Sequence, residues 1–267
     1  MTMRYKIDHD LHIHSQLSAC SADPEQSTER ILAHAEKYGF STVCITDHYW
    51  DRAVKGASDW YKPQDFKHIS KSKPLPQKDG IRFLFGCETE MRMENYLGMP
   101  CERFSDFDFV IIPTTHFHMR GFTISEESAS STEGRVKAWI DRLDALLSMD
   151  IPFKKIGIAH LTCGLILRES RPEFLRLVDM LPESELERLF DRAARLGVGI
   201  ELNGSDMSFK DSEADTVLRP YRIAKAQGCK FYLGSDAHHP GGLDLSIPVF
   251  ERAVTMLDLE ESDKFHV

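Results

Sequence analysis

The sequence predicts an α/β protein in which parallel strands, joined by crossover helices, close into a barrel. Three observations predict it. Short apolar runs alternate with amphipathic stretches along the chain, the order that strand–helix–strand units require. The runs themselves, FVII at 109–112 and VCIT at 43–46, are almost continuously apolar, as strands covered on both faces must be. The length of 267 residues suits one α/β barrel, which takes about 200–250 residues, so residues 1–267 are expected to form a single domain.

About seven runs read as strands: Tyr5 to Ile7 continuing into Leu11, Thr42 to Thr46, Ile81 to Phe85, Phe109 to Pro113, Ile156 to Ala159, Val198 to Leu202, and Phe231 to Gly234. Between them, Val136, Trp139, Ile140, Leu143, Leu146 and Leu147 recur at helical spacing and make one apolar stripe. Leu186, Leu189, Phe190, Ala193 and Leu196 make another, followed by Gly197 where a helix commonly ends. Thr28 to Tyr38 is a further helix closed by Gly39. These stripes are core faces without chemistry of their own. Residues 50–79, rich in Lys, Asp and Pro without periodicity, read as a long loop of the kind that serves as a lid or binding loop. Residues 123–134, rich in Ser and Glu, read as a second surface loop.

Composition narrows the function. With 42% hydrophobic and 28% charged residues a sizeable core forms without disulfides. A net charge of −9 disfavours a nucleic-acid partner, which needs clustered Lys and Arg. The six cysteines, at 20, 44, 87, 101, 163 and 229, form no CxxC pair, which fits a reducing, cytoplasmic setting. The opening MTMRYKIDHD lacks an apolar signal core, and no stretch approaches the roughly 18 apolar residues of a membrane span.

The chemistry is suggested by position. Metal-capable residues recur just after the apolar runs, where the strands of a parallel barrel share one rim. The first run ends Asp10-Leu11-His12-Ile13-His14, and strand alternation turns both imidazoles to one face. The second ends in Asp47 and His48. The third ends in Cys87-Glu88, where a carboxylate straight after an apolar strand must be solvated, paired or bound to a cation. The fourth delivers His116, with His118 two residues on as a ligand, a neighbour of the ligands or a substrate contact. The fifth ends at His160, the sixth in Glu201-Leu202-Asn203, a polar exit suited to orienting ligands. The seventh supplies Asp236 and His238 on one face. Imidazole mixed with carboxylate suits zinc, iron or manganese, and so many ligands exceed one tetrahedral ion. Two or three divalent ions are implied.

Together, DLHIHS at 10–15, ITDH at 45–48, GCE at 86–88, the histidines at 116 and 160 and GSDAH at 234–238 resemble the PHP (polymerase and histidinol phosphatase) superfamily of metal-dependent phosphoesterases over nearly the whole chain. The resemblance implies a distorted (β/α)7 TIM-like barrel with up to three metal ions on the C-terminal rim of the strands. It implies one ion on His12, His14, Glu88 and Asp236, a second on Glu88, His116 and His160, and a third on His48, His238 and a residue of the loop after the first strand. Family members place Asp or His where this chain has Cys20; Cys20 as thiolate, or the nearby Asp23, completes that site. The implied reaction is hydrolysis of a small phosphorylated substrate, a monoester of the histidinol phosphate kind, through a metal-activated hydroxide that needs no Ser or Cys nucleophile. Arg120 and Arg168 are candidates to fork onto the phosphate. Two other readings are an amidohydrolase-type barrel, which expects a bridging lysine that no strand end here supplies, and a metal-stabilised binding domain without turnover.

Overall fold

The computed structural model describes residues 3–21 and 23–267. Its strands are β1 (His9–Ile13), β2 (Thr42–Ile45), β3 (His48–Tyr49), β4 (Arg82–Thr89), β5 (Phe109–Pro113), β6 (Ile156–Ala159), β7 (Gly199–Asn203) and β8 (Lys230–Gly234). They pair in the order β1-β2-β4-β5-β6-β7-β8, with the short β3 beside β4, and every pairing is parallel. The ends of this sheet nearly meet. His14 N donates to Ala237 O at 3.1 Å and Asp236 N to His12 O at 2.7 Å, so β1 and β8 adjoin and the sheet curls into a TIM-like barrel.

The helices are α1 (Thr28–Tyr38), α2 (Phe66–Ile69), α3 (Glu126–Ala129), α4 (Thr132–Leu147), α5 (Arg171–Met180), α6 (Glu183–Leu196), α7 (Ala214–Ala226) and α8 (Pro240–Met256). Local chemistry sets their ends. The Ser27 hydroxyl accepts from Arg30 N at the start of α1, and Gly39 (φ 68°) turns the chain out of it. Gly197 (φ 74°) does the same after α6. Among the described residues no helix is long and apolar enough to cross a membrane.

Strand alternation divides the core in two. Val110, Ile112, Ile158, Ile200, Leu202, Phe231 and Leu233 face outward into the large cluster shared with the helices. Leu11, Cys44, Leu84, Phe109, Ile111, Ala159 and Tyr232 form a separate cluster with Phe265 of the C-terminal tail and no helix residue, which fills the barrel interior. Gly157 is required there: a Cβ would lie 2.4 Å from Tyr232 Oη. With the lower interior filled by apolar side chains, the polar residues at the strand exits gather at the opposite end.

Several boundaries differ from expectation. β1 begins at His9, not Tyr5, and its register shifts between Asp10 and Ile13. Ile13 joins the outer core, while Leu11 joins the interior cluster and His12 points to Glu201; the irregularity re-aims a side chain beside a site. β4 runs on to Thr89, because the short β3 pairs with Glu88 and Thr89 and continues the ladder. β2 stops at Ile45, and His48 belongs to β3. The expected surface loop at 123–134 holds α3 and the start of α4, since two of its serines are helix caps: Ser125 Oγ accepts from Ser128 N and Ser131 Oγ from Gly134 N, each at 3.0 Å. The 50–79 segment carries α2 and a short 3-10 turn at Ser70–Ser72.

Candidate metal centre

The chain turns sharply at two strand exits, with His160 at φ 61° and Asp236 at φ 54°. Left-handed backbone disfavours a residue bearing a side chain by roughly 1 kcal/mol or more. Here it is held by hydrogen bonds, His160 N to Glu201 Oε2 at 3.1 Å and Asp236 N to His12 O at 2.7 Å, and it swings both side chains over the barrel mouth.

The structure brings all nine predicted residues together at this mouth. Glu88 sits at the centre: its carboxylate lies 3.6 Å from His12 Nε2, 3.3 Å from His14 Nε2, 3.1 Å from His48 Nδ1, 4.0 Å from His116 Nε2 and 3.4 Å from His160 Nε2. Asp236 lies 3.5 Å from His12, 3.1 Å from His14, 3.8 Å from His160 and 3.7 Å from His238. Three sets of donor atoms lie within 4.8 Å of one another: His12, Glu88 and His160; His12, His14 and Asp236; and His14, Cys20, His48 and His238. His14 therefore belongs both with Asp236 and with the Cys20 set. Asp23 belongs to none of them, and its carboxylate accepts from Glu25 N at 2.9 Å.

Hydrogen bonds on the far ring nitrogens fix how the imidazoles point. His12 Nδ1 lies 2.6 Å from Glu201 Oε1, His116 Nδ1 2.7 Å from Glu90 Oε2, His14 Nδ1 2.9 Å from Ser18 Oγ and His238 Nδ1 2.6 Å from Asp236 O. Each of these rings is left with Nε2 for the mouth, the arrangement by which proteins orient metal-binding histidines. Asp47 is no ligand. Its carboxylate accepts from Ser15 N, Ser15 Oγ and Ser18 Oγ at 2.7–2.8 Å and so shapes the loop after β1. Arg142, buried in α4, donates to the carbonyls of Thr114, Thr123 and Met91 and stands 3.5 Å from Glu90. A further group, His160, Cys163 and Asp206, lies together as well, with Asp206 taking hydrogen bonds from Thr162 N and Tyr221 Oη, each at 3.0 Å.

Glu90 and Ser18 were not anticipated, although the spacing Glu88-Thr89-Glu90 was a legible signal that two carboxylates share one strand face. Arg142 carried none, being one polar residue on a helix otherwise read as core. His118 does not extend the strand past His116: the chain turns, with Met119 N donating to His116 O. Its ring nonetheless lies 5.4 Å from that of His116 and lines the mouth.

The electrostatics suit cations. Burial disfavours the ionised carboxylates, yet the imidazoles of His12, His14 and His160 against it hold Glu88, and His12 foremost holds Asp236, well below the usual carboxylate range. Burial likewise opposes charge on His12, His14 and His160, and the surrounding carboxylates overcome it, raising all three, His14 to about 10. His48 stays neutral because burial dominates, and one of its buried ring nitrogens, Nδ1, has no hydrogen-bond partner. Protons on several imidazoles thus stand where divalent cations would balance the same carboxylates, and the mixed His, carboxylate and thiol donor set fits such ions.

Above the centre opens a cavity of about 580 Å³. Trp60, Tyr61, Met119, Phe122 and Leu165 form an apolar wall, and Arg168 is the one lysine or arginine among its described lining residues. Arg120 is paired with Glu169 at 3.0 Å instead.

The PHP domain family model matches residues 10–205. None of the curated proteins searched matches this sequence. Among solved structures, the chain is similar to histidinol phosphate phosphatase from Lactococcus lactis, complexed with zinc, L-histidinol and phosphate, at 18% identity and a TM-score of 0.56, covering 92% of this chain and 93% of that one. It is also similar to a probable 2-pyrone-4,6-dicarboxylic acid hydrolase from Acinetobacter baumannii, at 11% identity and a TM-score of 0.46, covering 96% and 97%.

Proposed function

Because the chain belongs to the PHP domain family, we propose that it is a metal-dependent phosphoesterase hydrolysing a small phosphate monoester of the histidinol phosphate kind. The observation that carries this reading is the convergence of six imidazoles on the carboxylates of Glu88 and Asp236, on the floor of a cavity with one arginine among its described lining residues.

His12, His14, His48, Glu88, His116, His160, Asp236 and His238 would hold two or three divalent ions, which lower the pKa of water toward neutrality and neutralise phosphoryl oxygens. Glu201 and Glu90 keep His12 and His116 turned inward. Arg168 offers a planar fork of donors to the non-reacting phosphate oxygens. His118 is held neutral near pH 7, its pKa lowered to about 4 by burial and by the nearby His116 and Arg168; it serves as a hydrogen-bonding group and not as a charge. The apolar wall excludes water from the leaving-group side and suits an alcohol with an apolar or aromatic body, and the volume lies within the range of small-molecule sites, about 300–1,000 Å³.

The test is release of inorganic phosphate from histidinol phosphate and a panel of other monoesters by protein loaded with zinc, iron(II) or manganese. Turnover of a monoester supports the reading, and turnover of histidinol phosphate above the rest supports the narrower substrate. No phosphate from any monoester, with hydrolysis of amides or lactones instead, favours the amidohydrolase-type alternative, for which no lysine lines the cavity among the described residues.

A further inference from the structure

The nine donors are not chemically uniform. Two of the close sets contain a carboxylate, Glu88 in one and Asp236 in the other, whereas the third, His14, Cys20, His48 and His238, contains three imidazoles and a thiol. We propose that Cys20 is a metal ligand, so that the centre contains one soft thiolate–imidazole site beside harder carboxylate-bearing ones. This rests on the centre's holding metal ions, and not on the identity of the substrate.

Geometry supports the assignment. Four donors within 4.8 Å of one another need close only slightly to surround one tetrahedral ion, whose ligands at about 2.0–2.3 Å stand roughly 3.5 Å apart. The three rings are already packed around one point, His14 against His48 at 4.5 Å and against His238 at 4.4 Å between centroids. Two of them have Nδ1 engaged elsewhere, by Ser18 and by the Asp236 carbonyl. The third, His48, has a buried ring nitrogen, Nδ1, that makes no hydrogen bond although Glu88 Oε2 stands 3.1 Å away, an arrangement suited to a cation beside both groups.

The loop also holds Cys20 in place from both sides. Ala19 N donates to Gln64 Oε1 at 2.9 Å, and Ser21 Oγ donates to His238 O at 2.6 Å. The second bond ties the cysteine loop directly to one of the other three donors. Asp23 is turned to its own backbone. On coordination the Cys20 thiol gives its proton to solvent and its sulfur pair to the ion, with no change of oxidation state. Thiolate with imidazole favours zinc or iron(II) over manganese, while the carboxylate-bearing sites accept all three.

Cobalt(II) titration of the full chain tests this, since a thiolate bound to cobalt absorbs by charge transfer in the near ultraviolet. The charge-transfer band is expected in the unaltered protein and in Cys101→Ser, which removes the other exposed cysteine. It is expected to vanish in Cys20→Ser, with the zinc content lower by about one ion per chain, and Cys20→Asp is expected to restore the ion count without the band. Circular dichroism of each variant establishes that the fold is kept. A band that survives in Cys20→Ser, one that disappears in Cys101→Ser, or no band at all in fully loaded protein overturns the assignment. These readouts do not depend on turnover, so a protein inactive on every phosphate monoester leaves them intact.

Discussion

Glu201 Oε1 lies 2.6 Å from His12 Nδ1, both groups wholly buried, and the other oxygen of the same carboxylate accepts from His160 N at 3.1 Å. One side chain on β7 thereby fixes the ring of one candidate ligand and the left-handed backbone of another. Glu201→Gln is expected to lower metal affinity about 10- to 100-fold while leaving the barrel folded. Chelator competition against the unaltered protein measures it, and equal affinities would show that Glu201 does not orient His12.

Gly234 comes so close to this pair that a Cβ there would stand 2.1 Å from Glu201 Oε1 and 2.7 Å from His12 Cβ. Gly234→Ala is expected to cost about 1–3 kcal/mol in stability, as crowding in a packed interior does, and to reduce metal loading with it. Denaturant unfolding with metal analysis reads both quantities. A variant that unfolds at the same midpoint with full loading would place the glycine outside this role.

Without metal, His14 retains its proton up to about pH 10, because Asp236 and Glu88 outweigh the burial that opposes the charge. A raised folded-state pKa contributes stability that is complete below the unfolded value and lost as pH rises through the folded one. Metal displaces that proton. Loading at pH 7 is therefore expected to release protons, and affinity is expected to strengthen as pH rises toward 10. Calorimetric titration in buffers of different ionisation enthalpy measures the release, and a zero count would contradict it.

Arg168 lines the cavity, whereas Arg120 is engaged by Glu169. Arg168→Ala is expected to lower kcat/KM for a phosphate monoester about tenfold or more, the range for losing a charged hydrogen bond, and to weaken competition by inorganic phosphate. Arg120→Ala is expected to leave both nearly unchanged. The same loss in both variants would remove Arg168 from phosphate binding.

Much of the scaffold was legible because burial on both faces writes itself into sequence: the apolar runs at 109–113, 156–159 and 231–234 became strands, and Gly39 and Gly197 ended helices where their conformational freedom suggested. The loop at 123–134 was misread because serine favours both turns and helix caps, and only the backbone that follows tells the two apart. β1 was placed four residues early because its own residues, His9, Asp10 and His12, are polar; they are buried nonetheless.

Residue types and their order by themselves determined the α/β class and the PHP resemblance, and singled out nine side chains that the structure brings to one mouth. Those depend on local patterns: apolar runs, the polar residue that follows each, and spacing along one strand. Tertiary structure alone decided how these side chains are shared, placing His14 with Cys20 as well as with Asp236, turning Asp23 away, pairing Glu201 with His12, and giving Glu90 and Ser18 the task of aiming His116 and His14. The physical reason is distance. Glu201 and His12 are 189 positions apart in the chain, and only the closure of the barrel brings that carboxylate to that imidazole.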